Sequence, residues 1–279
     1  MMENLEYQIK NRIIKKNKFK NLLFGLQEEE SFAVHYSAVV NTIKYNNKKY
    51  IVKLRPFFFN KLHCLLDNIE HLLFSEKVKK ITNNKEWIKY ETKQLKALYK
   101  DLEIIPSFNN NIFILQFIEG ISAYNYLSDN GIDIKDKLKI ITKLAISLKE
   151  MHNKNITHAS PSVRNSIISD NGNIYWIDFE TKYYNYLSEI EKKARDLKHF
   201  IYSAVIAVNN PHSDDISEIV QTILSAYCDK EVVSKLSEIH KPSIFFDLYK
   251  TARTRDISIK RFKQLMEITK TLENSVIHC

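Results

Sequence analysis

Residues 156–180 read ITHASPSVRNSIISDNGNIYWIDFE, and this stretch carries the most specific chemical pattern in the chain. A predicted strand over 173–178 ends in the carboxylate of Asp178, and Asn165 lies in the polar loop before that strand. Asn and Asp are common turn residues, so neither is informative alone. Magnesium prefers hard oxygen ligands, and a carboxylate with a facing carboxamide supplies them. In register with each other, Asn165 and Asp178 therefore favour a magnesium site.

A long amphipathic helix precedes this stretch, and a helical region follows it. Residues 136–152 place apolar side chains on one face, which predicts a core helix that ends at His152. After the strand, similar spacing predicts helices at about 188–206, 215–228, 231–239 and 257–274. The second half of the chain is therefore predicted to be mainly helical.

Strand signals dominate the first half. Residues 37–55 contain two β-branched and aromatic runs around Asn-Asn-Lys-Lys, which predicts a hairpin. Residues 21–24 and 32–34 predict a further strand with its loop. The short apolar run 112–118 predicts a buried strand that leads into a hinge near residue 119. These segments together predict an antiparallel sheet of at least three strands.

Two helices are predicted between these strands, at 61–84 and at 86–100. Strands first and helices later predict an α+β fold with two lobes. The N-lobe, residues 1–118, is a small antiparallel sheet with a helix, and the C-lobe, residues 119–279, is larger and mainly helical. The two lobes form one domain, with a cleft between them as the expected ligand site.

Composition is that of an ordinary globular chain. The 279 residues are 44% hydrophobic and 27% charged, and they contain 4 glycines and 5 prolines, which excludes collagenous and low-complexity classes. No apolar run approaches the ~20 residues of a membrane span, and the N-terminus is too lysine-rich for a signal peptide, so a cytoplasmic location is expected. Cys64, Cys228 and Cys279 are too far apart to indicate a disulfide framework or a zinc site.

Positive charge is concentrated near the N-terminus. The chain carries a net charge of +9, and residues 1–100 hold 20 Lys and Arg against 10 Asp and Glu. A basic lobe of this kind fits an anionic partner such as nucleic acid, a membrane surface or a phosphate-bearing substrate. The lysines are equally typical of solvated helix and strand faces.

The stretch 156–180 resembles the catalytic segment of the protein-kinase-like superfamily. That pattern is His-x-Asp-x-x-x-x-Asn, a β-hairpin, and then Asp-Phe-Gly. His158 and Asn165 occupy the His and Asn positions, Asp178-Phe179-Glu180 replaces Asp-Phe-Gly, and Ser160 stands where the aspartate belongs. Within the superfamily, these motifs are most similar to those of RIO-type kinases, lipopolysaccharide-core kinases and aminoglycoside phosphotransferases. The resemblance covers about residues 30–205 and implies a bilobal protein-kinase-like fold that uses ATP and Mg²⁺.

The resemblance also implies roles upstream. Lys53, in Tyr-Ile-Val-Lys, is similar to the strand lysine that contacts the α- and β-phosphates, and we expect it to be partly buried with little role in the core. Glu91 resembles the helix glutamate that pairs with this lysine. Glu86 and Glu76 remain alternatives, because an insertion over 57–85 makes the alignment uncertain.

Three further positions follow from the same resemblance. Gln116 and Ile118, in Leu-Gln-Phe-Ile-Glu-Gly, lie in the segment that resembles the hinge, where backbone groups meet the adenine edge. Asp196, in Ala-Arg-Asp-Leu, resembles the buried helix aspartate that anchors the catalytic loop.

Two departures from the pattern predict altered chemistry. Kinases cover the phosphates with a glycine-rich loop, but residues 26–37 contain no glycine, Gly25 is the nearest one, and three glutamates occupy 28–30. We therefore expect weak or unusually arranged nucleotide binding. Ser160 cannot accept a proton near neutral pH, and neither Asp170 nor Glu180 is placed to replace the missing base.

Two classes of function follow. The first is an ATP-dependent phosphotransferase that acts on a protein Ser/Thr or a glycan hydroxyl, with impaired base catalysis. The second is a pseudokinase, a binding or regulatory module. Retention of Lys53, Asn165 and Asp178 favours the enzyme, whereas loss of the glycines and of the carboxylate at Ser160 favours the pseudokinase. Nucleotidyl transfer with ATP bound in reverse is a third option.

Overall fold

The computed structural model describes residues 33–35, 38–45, 47–55, 77–105, 111–208, 211, 213–239 and 267–272. An antiparallel sheet forms first along the chain, and most of the helices follow it. The predicted α+β class, with a sheet-rich N-terminal part and a helical C-terminal part, is confirmed.

The first half of the chain supplies six described strands: β1 (Ala33–His35), β2 (Ala38–Tyr45), β3 (Lys48–Leu54), β4 (Val78–Lys80), β5 (Ile104–Ile105) and β6 (Ile112–Gln116). All except β4 form one antiparallel sheet in the order β1-β2-β3-β6-β5. Tyr45 lies opposite Lys48, and Asn47 between them has a φ of +61°. Asn tolerates this left-handed conformation better than most residues, which explains the tight turn.

Strand β6 is buried on both faces. Ile112 and Ile114 belong to an apolar cluster with β2 and β3, whereas Phe113 and Leu115 face the main core. Alternate side chains of a strand point to opposite faces, so a strand covered on both sides has a continuous apolar sequence. The continuous apolar run Ile-Phe-Ile-Leu in β6 is explained by this burial on both faces.

Helix α1 (Asn84–Leu98) contacts the sheet through Trp87, whose ring centroid lies 5.8 Å from that of Phe113 on β6. Its N-cap is Asn83, whose side chain accepts a hydrogen bond from the Glu86 backbone N–H at 3.0 Å. The residues buried along one face are Trp87, Glu91 and Leu95, each one turn after the last. A carboxylate between two large apolar residues on a buried face must have a partner.

The C-terminal part is built mainly from helices. Its described elements are β7 (Gly120–Ser122), α2 (Ala123–Ser128), α3 (Ile134–Asn153), β8 (Ser166–Ser169), β9 (Ile174–Trp176), β10 (Thr181–Tyr183), α4 (Glu189–Ala207), α5 (Ser213–Tyr227) and α6 (Lys230–Ile239). Helix α3 packs on α5 and α4 packs on α6, around the largest apolar core. No helix in the described part of the chain is long and apolar enough to cross a membrane.

Strands β7, β8 and β9 form a small antiparallel sheet where the two parts meet. Gly120 begins β7 with a φ of +149°, and a Cβ added there would lie 2.2 Å from the carbonyl oxygen of Ile168. The close approach of β7 to β8 therefore requires glycine at this position.

Several details differ from the sequence predictions. The predicted helix over 61–84 is wrong at its C-terminal end, because Val78–Lys80 forms β4, which pairs antiparallel with β10. A local pattern does not reveal a pairing with a strand about a hundred residues away. Strands β7 and β10 and helix α2 were not predicted. The predicted strand over 21–24 lies outside the described residues, as do 56–76 and most of 257–274.

Candidate active site

Lys53 lies at the centre of a buried charge cluster. It stands on β3, opposite Val40 on one neighbouring strand and Phe113 on the other. Its Nζ atom lies 2.7 Å from Oε1 of Glu91 and 2.9 Å from Oδ1 of Asp178. Only 6% of Lys53 is exposed, so the expectation of partial burial is wrong. The amine is held between an α1 carboxylate and the carboxylate that follows β9.

Glu91 is the α1 carboxylate that reaches Lys53. Its second oxygen, Oε2, accepts a hydrogen bond from Nε1 of Trp87 at 2.7 Å, so both oxygens of this fully buried group have partners. The alternative Glu86 lies on the exposed side of α1, where it pairs with Lys182. Glu76 lies outside the described residues.

The charges in this cluster shift one another. Burial would lower the pKa of Lys53, but the carboxylates of Asp178 and Glu91 outweigh it and raise that pKa above its ordinary value. Burial would raise the pKa of Asp178, yet Lys53 lowers it to about 2. Burial raises the pKa of Glu91 against the attraction of Lys53. At neutral pH Lys53 is charged and Asp178 is ionised.

Asp178 follows the β8–β9 hairpin, in an uncommon conformation. Its φ is +73°, a left-handed value that a non-glycine residue adopts only where surrounding contacts hold it. Its side chain is 38% exposed, whereas that of Lys53 is 7% exposed. The cluster is therefore buried on the Lys53 side and open to solvent at Asp178.

Asn165 ends a short 3₁₀ turn, Val163–Asn165, beside Asp178. Its side-chain Nδ2 donates to the carbonyl of Ser160 at 3.0 Å, and its own backbone carbonyl accepts from the N–H of Ile177 at 2.9 Å. The second bond holds Asn165 next to the residue that precedes Asp178. Because Nδ2 is engaged with the loop, the carboxamide oxygen is the atom left to bind a ligand.

These two residues fit magnesium. No cluster of three or more His, Cys, Asp or Glu that could hold a metal occurs in the ranges that the structure describes. Magnesium does not need one, because it is usually bound by one or two protein oxygens together with phosphates and water. A partly exposed, ionised carboxylate at Asp178 and the carboxamide oxygen of Asn165 match that donor set.

Asp196, buried on α4, anchors the loop before Asn165. Its two oxygens accept hydrogen bonds from the backbone N–H groups of His158 at 2.7 Å and Ala159 at 2.9 Å. They also accept from Nε2 of His152 at 3.0 Å and from the Tyr183 hydroxyl at 2.8 Å. Burial would raise the pKa of Asp196, but these donors, led by His152, lower it. The loop backbone is thereby fixed to α4.

His158 supports the loop from inside. Its Nε2–H donates to the carbonyl of Ile177 at 2.9 Å, and its ring packs on Phe179 with centroids 4.4 Å apart. Burial lowers the pKa of His158, so the ring is neutral at pH 7. Its Nδ1 is buried and has no partner among the described residues. His158 connects the loop to both sides of Asp178.

Ser160 lies half-buried between His158 and Asn165, and its carbonyl accepts from Nδ2 of Asn165 and from the N–H of Ser162 at 2.8 Å. Asp170 lies beyond β8, where its N–H donates to the carbonyl of Glu119, and Glu180 is buried in an ion pair with Arg55.

The predicted hinge follows β6. Gln116 is engaged with Glu103, since its N–H donates to the Glu103 carbonyl at 2.9 Å and its Oε1 accepts the Glu103 N–H at 3.2 Å. Ile118 is buried, and within the described part of the chain its backbone N–H and C=O form no hydrogen bond with protein.

The connection between β1 and β2 is short. His35 lies opposite Ala38, so only two residues, 36 and 37, separate the strands. Neither is glycine. Gly25 and the glutamates 28–30 lie outside the described residues.

The sequence patterns predict no role near Lys53 for Arg55 or Trp87. They also predict no ion pair for Glu180. A signal for them existed, because Lys-x-Arg at 53–55 and Asp-x-Glu at 178–180 carry opposite charges at the same spacing of two. Without knowledge that the segments meet, that spacing has no meaning.

Comparisons with known proteins give distant similarity. No family model matches the chain. An uncharacterized protein of Haemophilus influenzae is 29% identical over 78 residues, which are 28% of this chain and 31% of that protein, so the match spans about a third of the relative's length.

Two solved structures are similar in outline. One is described as WaaP in complex with acyl carrier protein, with a TM-score of 0.43 and 10% identity over 94% of this chain and 95% of that one. The other is the kinase domain of Mycobacterium tuberculosis PknI, with a TM-score of 0.44 and 11% identity over 88% of this chain and 100% of that one. Similarity this distant does not assign an activity.

Proposed function

We propose that this protein is a kinase-like phosphotransferase that binds ATP with Mg²⁺ and transfers the γ-phosphate to a hydroxyl group of a protein Ser/Thr or a glycan. The observation that carries the proposal is the position of Lys53 Nζ, 2.7 Å from Glu91 and 2.9 Å from Asp178. A cation fixed by a buried carboxylate beside a partly exposed carboxylate is suited to hold phosphates and their metal together.

Each residue has a role in this proposal. Lys53 contacts the α- and β-phosphates, and Glu91 holds its amine in place. Asp178 and Asn165 would hold a magnesium ion, which when bound would offset negative charge on the phosphates. The backbone of Ile118, next to Gln116, receives the adenine edge. Residues 1–118 and 119–279 act as the two lobes around the nucleotide.

A second candidate is a pseudokinase, a catalytically inactive binding or regulatory module that either binds nucleotide without transferring phosphate or binds no nucleotide. Ser160 favours it, because a general base contributes about 10²–10⁴-fold to rate and no other carboxylate of the described loop is available. Phosphoryl transfer depends mostly on positioning and electrostatics, which Lys53, Asn165 and Asp178 still supply. The proposal is therefore a phosphotransferase with low turnover.

Radiolabelled ATP separates these candidates. Purified protein is incubated with Mg²⁺, acceptor mixtures of proteins or glycans, and ATP labelled at the γ- or the α-phosphate. Transfer of the γ-label that is lost in Asp178→Asn supports the phosphotransferase. Transfer of the α-label supports nucleotidyl transfer. ATP binding without any transfer supports a nucleotide-binding pseudokinase. The absence of binding overturns the phosphotransferase and leaves a nucleotide-free pseudokinase.

A further inference from the structure

Arg55 is a fully buried cation beside the proposed metal site. It follows β3 directly, and its Nη2 lies 2.8 Å from Oε1 of Glu180. Its Nη1 donates to the Ile81 carbonyl at 3.0 Å, and the guanidinium lies 3.9 Å from the centroid of the Trp87 ring. A buried ion pair is costly to desolvate and often adds no net stability. Its presence here points to a role in fixing geometry.

The Arg55–Glu180 pair has the same arrangement along the chain as the Lys53–Asp178 pair. Lys53 and Arg55 are two residues apart, and Arg55 comes directly after β3. The Arg55 N–H donates to the Asn111 carbonyl at 3.0 Å, so the extended backbone continues to Arg55. Side chains two apart on a strand share a face. Asp178 and Glu180 are also two apart, so each cation at the C-terminal end of β3 meets one carboxylate of the segment after β9.

Trp87 joins the two pairs. Its indole N–H donates to Glu91, the partner of Lys53, while its ring supports the guanidinium of Arg55. The contacts therefore form a closed ring that runs from Asp178 through Lys53, Glu91, Trp87, Arg55 and Glu180 back to the same segment.

The segment itself is held on both sides. The Ile81 N–H donates to the Glu180 carbonyl at 2.9 Å, and β10 pairs with β4 immediately afterwards. Within the segment, the Glu180 N–H donates to the Asp178 carbonyl at 2.9 Å. The left-handed backbone of Asp178 persists only where such contacts determine it.

We infer that Arg55 and Glu180 are positioning residues that hold the Asp178 carboxylate in place for the metal. The inference rests on the proposed function, because Asp178 binds a metal only under that proposal. Groups that orient a metal ligand typically change metal affinity by about 10–100-fold when they are replaced. In this protein the orienting contact is supplied by Arg55, the residue directly after β3.

Magnesium dependence tests this role. ATP binding to the full chain is measured calorimetrically with Mg²⁺ and with EDTA, in wild type, Glu180→Gln and the control Glu86→Gln. Glu86 pairs with Lys182 on β10 but does not contact Glu180 in the described structure. We expect Glu180→Gln to weaken binding with Mg²⁺ by about 10-fold or more and to leave binding in EDTA unchanged. Equal weakening in both buffers, or none, overturns the inference.

Hydrogen exchange tests the same claim without nucleotide. In Glu180→Gln and Arg55→Met, amides of residues 177–184 should exchange several-fold faster than in wild type, while those of α5 remain unchanged. Glu180→Gln alone suffices if Arg55→Met fails to fold. Unchanged exchange overturns the inference, and so does faster exchange with normal magnesium dependence. A wild type that binds no ATP refutes the proposed function, whereas exchange still decides whether the pair holds the segment.

Discussion

Lys53 and Asp178 are 125 positions apart in the chain, and Nζ of Lys53 lies 2.9 Å from Oδ1 of Asp178. The lysine belongs to the N-terminal sheet, and the aspartate follows a hairpin of the C-terminal part. The same amine contacts Glu91, which is fully buried on α1. This contact joins the two parts of the molecule, so its residues contribute to stability as well as to the proposed chemistry.

Replacing Lys53 should destabilise the protein. Lys53→Met leaves the Glu91 carboxylate buried without its cation, a change that typically costs about 3–5 kcal/mol. This differs from the expectation, drawn from the sequence, that Lys53 has little role in the core. Urea unfolding measures the change. Lys48→Met is the control. Lys48 lies on β3 like Lys53, but its ion pair with Glu103 is exposed, so its replacement should change the free energy of unfolding little. Equal stability of Lys53→Met and wild type would show that the amine is not held in this cluster.

Acid should weaken the Lys53–Asp178 contact in a defined range. Lys53 lowers the pKa of Asp178 from 3.8 to about 2, so the aspartate takes up its proton at higher pH in the unfolded chain than in the folded one. Its contribution to stability is fully present above pH 3.8 and is lost as the pH falls through about 2. The difference in free energy of unfolding between wild type and Asp178→Asn should shrink over that range. A difference that stays constant down to pH 2 contradicts the ion pair.

Ser160 decides whether the missing base limits turnover. Asp196 fixes the loop backbone, so under the proposed function Ser160→Asp should bring a carboxylate within hydrogen-bond reach of an incoming hydroxyl. Phosphate transfer should then rise by about 10²-fold or more. Ser160→Asn, which has nearly the same shape but no charge, should not raise the rate. If Ser160→Asp binds ATP but gains nothing, the pseudokinase becomes the better account.

Gly120 should not tolerate a side chain. In Gly120→Ala the new Cβ would lie 2.2 Å from the Ile168 carbonyl oxygen, so β7 must move away from β8. We expect a loss of roughly 1–3 kcal/mol in thermal or chemical unfolding. Gly131→Ala serves as the control, since the nearest atom to a Cβ there is a side-chain oxygen of Asp129 at 3.3 Å. Similar stability of the two variants would contradict the close approach of these strands.

The sequence was sufficient where a structure is set by local pattern. The hairpin of β2 and β3 and the helices α1, α3, α4, α5 and α6 follow from periodicity and turn residues, and their observed bounds lie within a few residues of the predicted ones. The short apolar run at β6 also predicts a buried strand correctly, because burial on both faces leaves an uninterrupted apolar segment.

The features that the sequence does not predict are those that form where distant segments of the chain meet. Strand β4 exists because β10 lies beside it, and the local pattern at 78–80 is compatible with the end of a helix. The sequence alone does not indicate that Arg55 and Glu180 pair, because the pair forms only where the C-terminal end of β3 meets the segment after β9. The same holds for the burial of Lys53, which the approach of Glu91 and Asp178 produces.

The most direct test of the proposed site is the effect of ATP on the melting temperature of wild type and Asp178→Asn, each with Mg²⁺ and with EDTA. A ligand that binds only the folded state stabilises it by RT ln(1 + L/Kd), where L is the free ligand concentration, so at a fixed concentration tighter binding gives a larger rise in melting temperature. We predict a larger shift with Mg²⁺ than with EDTA for wild type, and shifts that no longer depend on magnesium for Asp178→Asn. Equal shifts with and without magnesium in wild type would contradict a metal site at Asp178 and Asn165.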